Sequence, residues 1–214
     1  MPLAFPKRAG RPSSVTGLTP HRPHLAADNY HMRPGINRAS FLSGAACAAA
    51  SLAVPGVARA GVSPYSLWLE RMDTGETGVE PFSLDGKTIY KPGYYMVCAL
   101  LRDAHVDPRI GDVQVSIRLV ETLWAIQQYL IRSGVQQPIV VHSGYRTPQT
   151  NAATEGAAPH SLHMYGEACD FHVPGVALDD LATIAWACPS TGGVGYYPDG
   201  WVHVDTGPRR YWSE

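Results

Sequence analysis

The sequence has almost no excess of charge of either sign. Seventeen Lys and Arg stand against 18 Asp and Glu, for a formal net charge of −1. Nothing in the sequence resembles the basic face by which proteins grip nucleic acid. Cysteine is scarce too: of four in the chain, only Cys98, Cys169 and Cys188 follow residue 60. An odd count argues against a disulfide framework. Cys169–Cys188 is the conceivable pair, and buried free thiols are the expectation. Their spacing is not that of a zinc-thiolate site. The G-x-S-x-G elbow of serine hydrolases is absent, and Cys169 lies within a predicted buried strand, which makes a cysteine nucleophile a poor choice. No repeat or low-complexity linker follows Gly61. Nor does a second apolar run of membrane-spanning length, so no stable membrane insertion is expected of the segment after residue 60.

What is present begins with an export pattern. Residues 37–60 read NRASFLSGAACAAASLAVPGVARA. Arg33 and Arg38 supply a basic start, Phe41 to Ala58 an Ala-rich apolar stretch, and Ala58-Arg59-Ala60 an A-x-A cleavage signal. A signal peptide is therefore expected over 32–60. Asn-Arg-Ala-Ser-Phe-Leu at 37–42 is similar to a twin-arginine signal in which Ala39 replaces the second arginine, so either the Tat or the Sec route is open. Residues 1–31 are rich in Pro, His and Arg and show no periodicity; they read as a disordered extension or as sequence upstream of a start at Met32. The remainder, 61–214, is about 154 residues, one domain with enough chain for a real core. Its expected location is the periplasm.

Within that domain, Leu67 to Phe82 reads as a β-hairpin around Asp73-Thr74-Gly75, and Asp85-Gly86 as a turn. Tyr94 to Asp103 is predicted as a helix ending near Arg102. Ser116 to Ser133 is the clearest helix, with Ile117, Val120, Leu123, Trp124, Ile126 and Leu130 at helical spacing and Gly134 after it. Pro138 to Ser143 is a short buried strand, Glu167 to Val173 a second, Ala177 to Ala187 a helix, and Gly192 to Asp205 a final hairpin turning at Pro198-Asp199-Gly200. The predicted fold class is α+β, a small, mainly antiparallel sheet with flanking helices.

The chemistry concentrates in Ser161 to Val173 (SLHMYGEACDFHV) and Trp201 to Gly207 (WVHVDTG). Side chains alternate along a strand, so Asp170 and His172 share a face, as do His203 and Asp205. Two neighbouring strands would bring those faces to one ion, with His163 entering from the preceding loop. Any one of these histidines alone is more often a hydrogen-bonded structural residue; together, His163, Asp170 and His203 form a three-ligand set that leaves an open position, the arrangement of a catalytic zinc. His172 and Asp205 are candidates to orient a ligand. His160 is placed to meet substrate, and His142 and His105 are read as structural. Arg146, in the turn His142-Ser143-Gly144-Tyr145-Arg146-Thr147-Pro148, is a candidate to stabilise a developing oxyanion or to tie down its own turn; Tyr145 and Asn151 are read as holding that loop or meeting substrate.

At these residues the chain resembles a known family. S-G-Y-R-T-P followed by Asn, S-x-H-x-x-G-x-A-x-D, G-G-V-G-Y-Y-P and V-H-x-D-x-G-x-x-R-x-W are similar to the murein endopeptidase K group of zinc D-Ala-D-Ala peptidases, with a hedgehog/DD-peptidase fold. The similarity runs from about Ser66 to Trp212. It implies a periplasmic zinc peptidase that cuts peptidoglycan cross-links, including the LD (3-3) type, with one zinc ion on His163, Asp170 and His203 and with Ser161 and Arg146 at the substrate or transition state. Many enzymes of the wider superfamily place an acidic base three residues before the last histidine; here that position is Gly200. Asp205, on the face of His203, is then the first candidate for the base, and Asp199 the second. The rival reading is a non-catalytic peptidoglycan-binding module that keeps the fold and the metal site.

Overall fold

The computed structural model describes residues 63–107, 114–198 and 200–214. The expected signal segment and the 1–31 extension lie outside the described residues, as does Asp199.

One mixed sheet of seven strands organises the domain. In chain order these are β1 (Ser66–Arg71), β2 (Thr77–Pro81), β3 (Ile139–Ser143), β4 (Ala168–His172), β5 (Gly193–Tyr197), β6 (Trp201–Asp205) and β7 (Arg210–Ser213). Their spatial order is β2-β1-β3-β4-β6-β5-β7. Four of the pairings are antiparallel and two, β1 with β3 and β5 with β7, are parallel. The helices are α1 (Lys91–Leu100), α2 (Ile117–Arg132), α3 (Pro148–Ala153) and α4 (Leu178–Ala187). This is the α+β class that the pattern predicts. Among the described residues no helix is long and apolar enough to cross a membrane.

Period-2 alternation divides the work of the sheet. Cys169 and Phe171 of β4, Val202 and Val204 of β6 and Val194 of β5 all join one buried core. That core continues into the apolar stripe of α2 (Leu119, Val120, Leu123, Ile126, Leu130) and into Leu181, Ala182 and Ala185 of α4. Burying each such Leu, Ile, Val or Phe contributes about 1.5–3 kcal/mol. The same alternation leaves Asp170, His172, His203 and Asp205 for the opposite face. Register makes this specific, because Asp170 of β4 lies directly across from His203 of β6.

Two polar devices close the frame. Gln127, buried on α2, extends its amide to β1 as a strand would: Trp68 N donates to its Oε1 at 2.9 Å, and its Nε2 donates to Trp68 O at 2.8 Å. A β-bulge falls at His142, between the Val141–Phe171 and Ser143–Asp170 pairs. Bulges re-aim side chains next to functional sites, and this one sits beside Asp170. Cys98, Cys169 and Cys188 are all free and buried, so the conceivable Cys169–Cys188 bridge is not formed.

Candidate metal centre

The site rises from the open face of β4 and β6. Ser161 opens a 3-10 turn over Leu162–Tyr165, and its hydroxyl accepts from His163 N. Gly166 ends that turn in the left-handed region at φ 66°, where glycine is favoured. This short turn delivers His163 over the strands. His163, Asp170 and His203 are buried, and they are the group among the described residues that offers ligand atoms to one ion. His163 Nε2 stands 3.3 Å from Asp170 Oδ1 and 3.3 Å from His203 Nδ1. His203 Nδ1 stands 2.7 Å from Asp170 Oδ1. A tetrahedral zinc with bonds of about 2.0–2.1 Å separates its ligand atoms by about 3.3 Å. Two of the three edges already have that length, and the third must open by about half an ångström.

The other nitrogen of each histidine is fixed. His163 Nδ1 meets the Gly144 carbonyl at 2.6 Å, and His203 Nε2 meets Asp205 Oδ2 at 3.0 Å. Each outer nitrogen thus has an acceptor for a ring proton, which would leave the inner nitrogens, His163 Nε2 and His203 Nδ1, to a metal, the arrangement that orients histidine for one. Asp170 keeps Oδ1 inward while its Oδ2 accepts from Arg146 Nη2 at 2.6 Å. Burial alone would raise the Asp170 pKa, but His163 and His203 outweigh it and hold the carboxylate far below its usual range. For His203, burial disfavours the charged ring, yet its hydrogen bonds to Asp170 and Asp205 raise its pKa above the usual histidine value.

The centre forms the floor of a cleft of about 390 Å³ lined by Arg146, His160, Ser161, Tyr197, Trp201 and Trp212 among others. A second lobe of about 290 Å³, containing His142 and Tyr145, adjoins it at Arg146, Asp170 and Trp201. The sequence profile described as "Peptidoglycan L,D-endopeptidase MepK" matches residues 59–212. The chain belongs to the MepK family. The peptidoglycan L,D-endopeptidase MepK of Escherichia coli (strain K12) is 34% identical over 177 residues, covering 80% of this chain and 93% of that protein. The Shigella flexneri protein of the same name gives the same figures. A probable peptidoglycan L,D-endopeptidase MepK of Haemophilus influenzae is 44% identical over 80 residues, covering 35% of this chain and 42% of its own.

On this MepK-family frame the remaining sequence candidates fall into different places. Arg146 lines the cleft, but its Nη2 is engaged by Asp170 and its Nε donates to Ser143 Oγ at 2.8 Å. Ser161 lines the main lobe and caps the 3-10 turn, and His160 is exposed at its edge. Tyr145 belongs to the second lobe, anchored by its backbone N to Leu101 O at 2.7 Å. His172 pairs with another histidine: its Nδ1 meets His142 Nε2 at 2.7 Å. His142 also packs against Trp201, so a residue read as structural lines the cleft.

Asp205, the first candidate for the base, is enclosed by donors. It is completely buried and lies behind His203, on the side of the ring away from Asp170. Gly193 N, Gly207 N and Arg210 Nη1 donate to its Oδ1, while His203 and Arg210 Nη2 hold its Oδ2. Burial would raise its pKa, but the His203 hydrogen bond and the Gly193 amide pull it well below the ordinary value. A carboxylate so acidic and so enclosed is a poor acceptor for a proton from water. Tyr197, Trp201, Arg210 and Trp212 are among the cleft residues that the motifs did not single out as site candidates. Strand alternation was the available signal: Trp201 lies two residues from His203, and Arg210 two from Trp212.

Proposed function

We propose that the chain is an exported zinc peptidase that hydrolyses peptide cross-links of peptidoglycan. The observation that carries this is the convergence of His163 Nε2, Asp170 Oδ1 and His203 Nδ1, with the outer nitrogens of both histidines already held, on the floor of an open cleft. Two imidazoles and one carboxylate with an accessible side suit zinc. The names of the relatives favour an L,D bond as the target. We assign residues 32–60 to the signal peptide and 61–214 to the periplasmic domain.

Zinc held there would polarise the scissile carbonyl and make water nucleophilic near neutral pH. The chain's own groups do the rest. Hydrolysis forms a C–O bond, breaks the C–N bond and moves a proton from water to the leaving amine. Arg146 lies at the junction of the two lobes, beside Asp170; there its positive charge both holds the ligand carboxylate and faces the developing oxyanion. Ser161, Tyr145 and His160 lie along the two lobes and would contact the peptide. With Asp205 committed to His203, Asp199 is the carboxylate we propose for the base. Replacing Asp199 with Asn should leave zinc content intact and lower kcat by about 10²-fold or more; full turnover by that variant would remove Asp199 from the mechanism. An Arg146→Ala protein that keeps zinc and full turnover would do the same for Arg146.

A further inference from the structure

We propose that Arg210 is a positioning residue for the metal centre, acting through Asp205 on His203. The inference rests on the metal reading above. The chain of contacts is continuous: Arg210 Nη2 donates to Asp205 Oδ2 at 2.6 Å, Oδ2 meets His203 Nε2 at 3.0 Å, and His203 Nδ1 faces Asp170 Oδ1 at 2.7 Å.

The two partners of the ion pair are unlike. The Asp205 side chain is 0% exposed and that of Arg210 is 45% exposed. An ordinary surface pair is worth about 0–1 kcal/mol, but here one charge is wholly enclosed and its orientation determines a ligand. Arg210 grips both oxygens, adding Nη1 to Oδ1 at 3.2 Å. A two-point fork fixes the rotation of the carboxylate as a single charge would not. Oδ2 therefore stays aimed at Nε2, which favours a proton there and would leave Nδ1 to the metal. Nη1 also donates to the Pro208 carbonyl at 3.0 Å, which steadies the guanidinium from its own loop.

The backbone leaves room for this pair. Parallel pairing of β5 with β7 sets Gly193 beside Arg210. A Cβ at Gly193 would run into Asp205 Oδ2 and stand 2.8 Å from Arg210 Nη1. Any larger residue at 193 would occupy the place where carboxylate and guanidinium meet.

The test is zinc affinity, measured by chelator competition on the purified protein, for wild type, R210Q, D205N and the double variant. Loss of a partner that orients a ligand weakens metal binding by about 10–100-fold. We expect R210Q to lose about tenfold, D205N to lose at least as much, and the double variant to be no weaker than D205N alone. Losses that multiply in the double variant, or an R210Q affinity equal to wild type, would overturn the proposal. If D205N does not fold, the Nε2 proton of His203 in the zinc-loaded R210Q protein decides by NMR. Faster exchange of that proton than in wild type supports the relay, and an unchanged resonance overturns it. Wild-type protein that binds no zinc overturns the metal reading and this inference together, an outcome distinct from wild type and R210Q binding zinc equally.

Discussion

At the scale of single residues, the account turns on which atom each side chain presents. Removing a ligand is the bluntest prediction: Asp170→Ala should lose stoichiometric zinc, read by metal analysis of dialysed protein. The Arg146–Asp170 contact is half of a mostly buried pair, with 13% and 9% of the side chains exposed. Arg146→Gln should cost roughly 1–3 kcal/mol of stability by leaving Asp170 Oδ2 without its charged donor, measured by denaturant unfolding of metal-free protein. Because the His203 pKa is raised, a metal ion must compete with a proton there, so zinc affinity should fall as pH is lowered. The grouping of Asp170 with His203 was legible in the sequence because strand alternation fixes a face, and His163 joins them from the 3-10 turn before β4. The part played by Asp205 was not, because alternation puts it on the face of His203 without saying which imidazole nitrogen it meets. That nitrogen is the outer one, Nε2, on the side of the ring away from Asp170.

At the scale of elements, the turn after β3 is the sensitive piece. Gly144 gives its carbonyl to His163, and a Cβ on it would collide with the Leu101 carbonyl, backbone against backbone. Gly144→Ala should therefore destabilise the protein by about 1–3 kcal/mol and weaken zinc binding, measured by thermal melts with and without metal. Asp103 supports the same turn by accepting from Thr147 N at 2.7 Å and His105 N at 3.0 Å. The long elements were readable from period: the first hairpin, α2, β3, β4, α4 and the β5–β6 hairpin all lie where the pattern puts them. The short ones were not. The strand β7 has four residues, too few to show a period, and forms by parallel pairing with β5. The helix α3 has six residues, but Thr147-Pro148 is a cap followed by proline at the first helical position, a signal that was available.

At the scale of the whole molecule, fold class followed from the mixture of strands, helices and hairpins, whereas strand order did not. The parallel contact of β1 with β3, across α1 and α2 in sequence, comes from burying Leu67 and Leu69 in the same core as Ile139 and Val141. Charge couples the site to global stability. The folded structure holds Asp170 and Asp205 below the ordinary aspartate pKa of 3.8. Such groups stabilise the fold above their unfolded pKa and lose that contribution as pH falls through the folded one. Metal-free protein should therefore lose stability steeply below about pH 3.8, with a shallower loss in the Asp205→Asn variant, read from thermal melts across pH.

The most direct measurement is mass spectrometry of muropeptides after the purified protein has been incubated with sacculi, chelated and then with zinc restored. The account predicts that cross-linked dimers disappear only when zinc is present, with product masses marking an L,D bond as the one cut. An unchanged muropeptide profile from folded, zinc-loaded protein would contradict it.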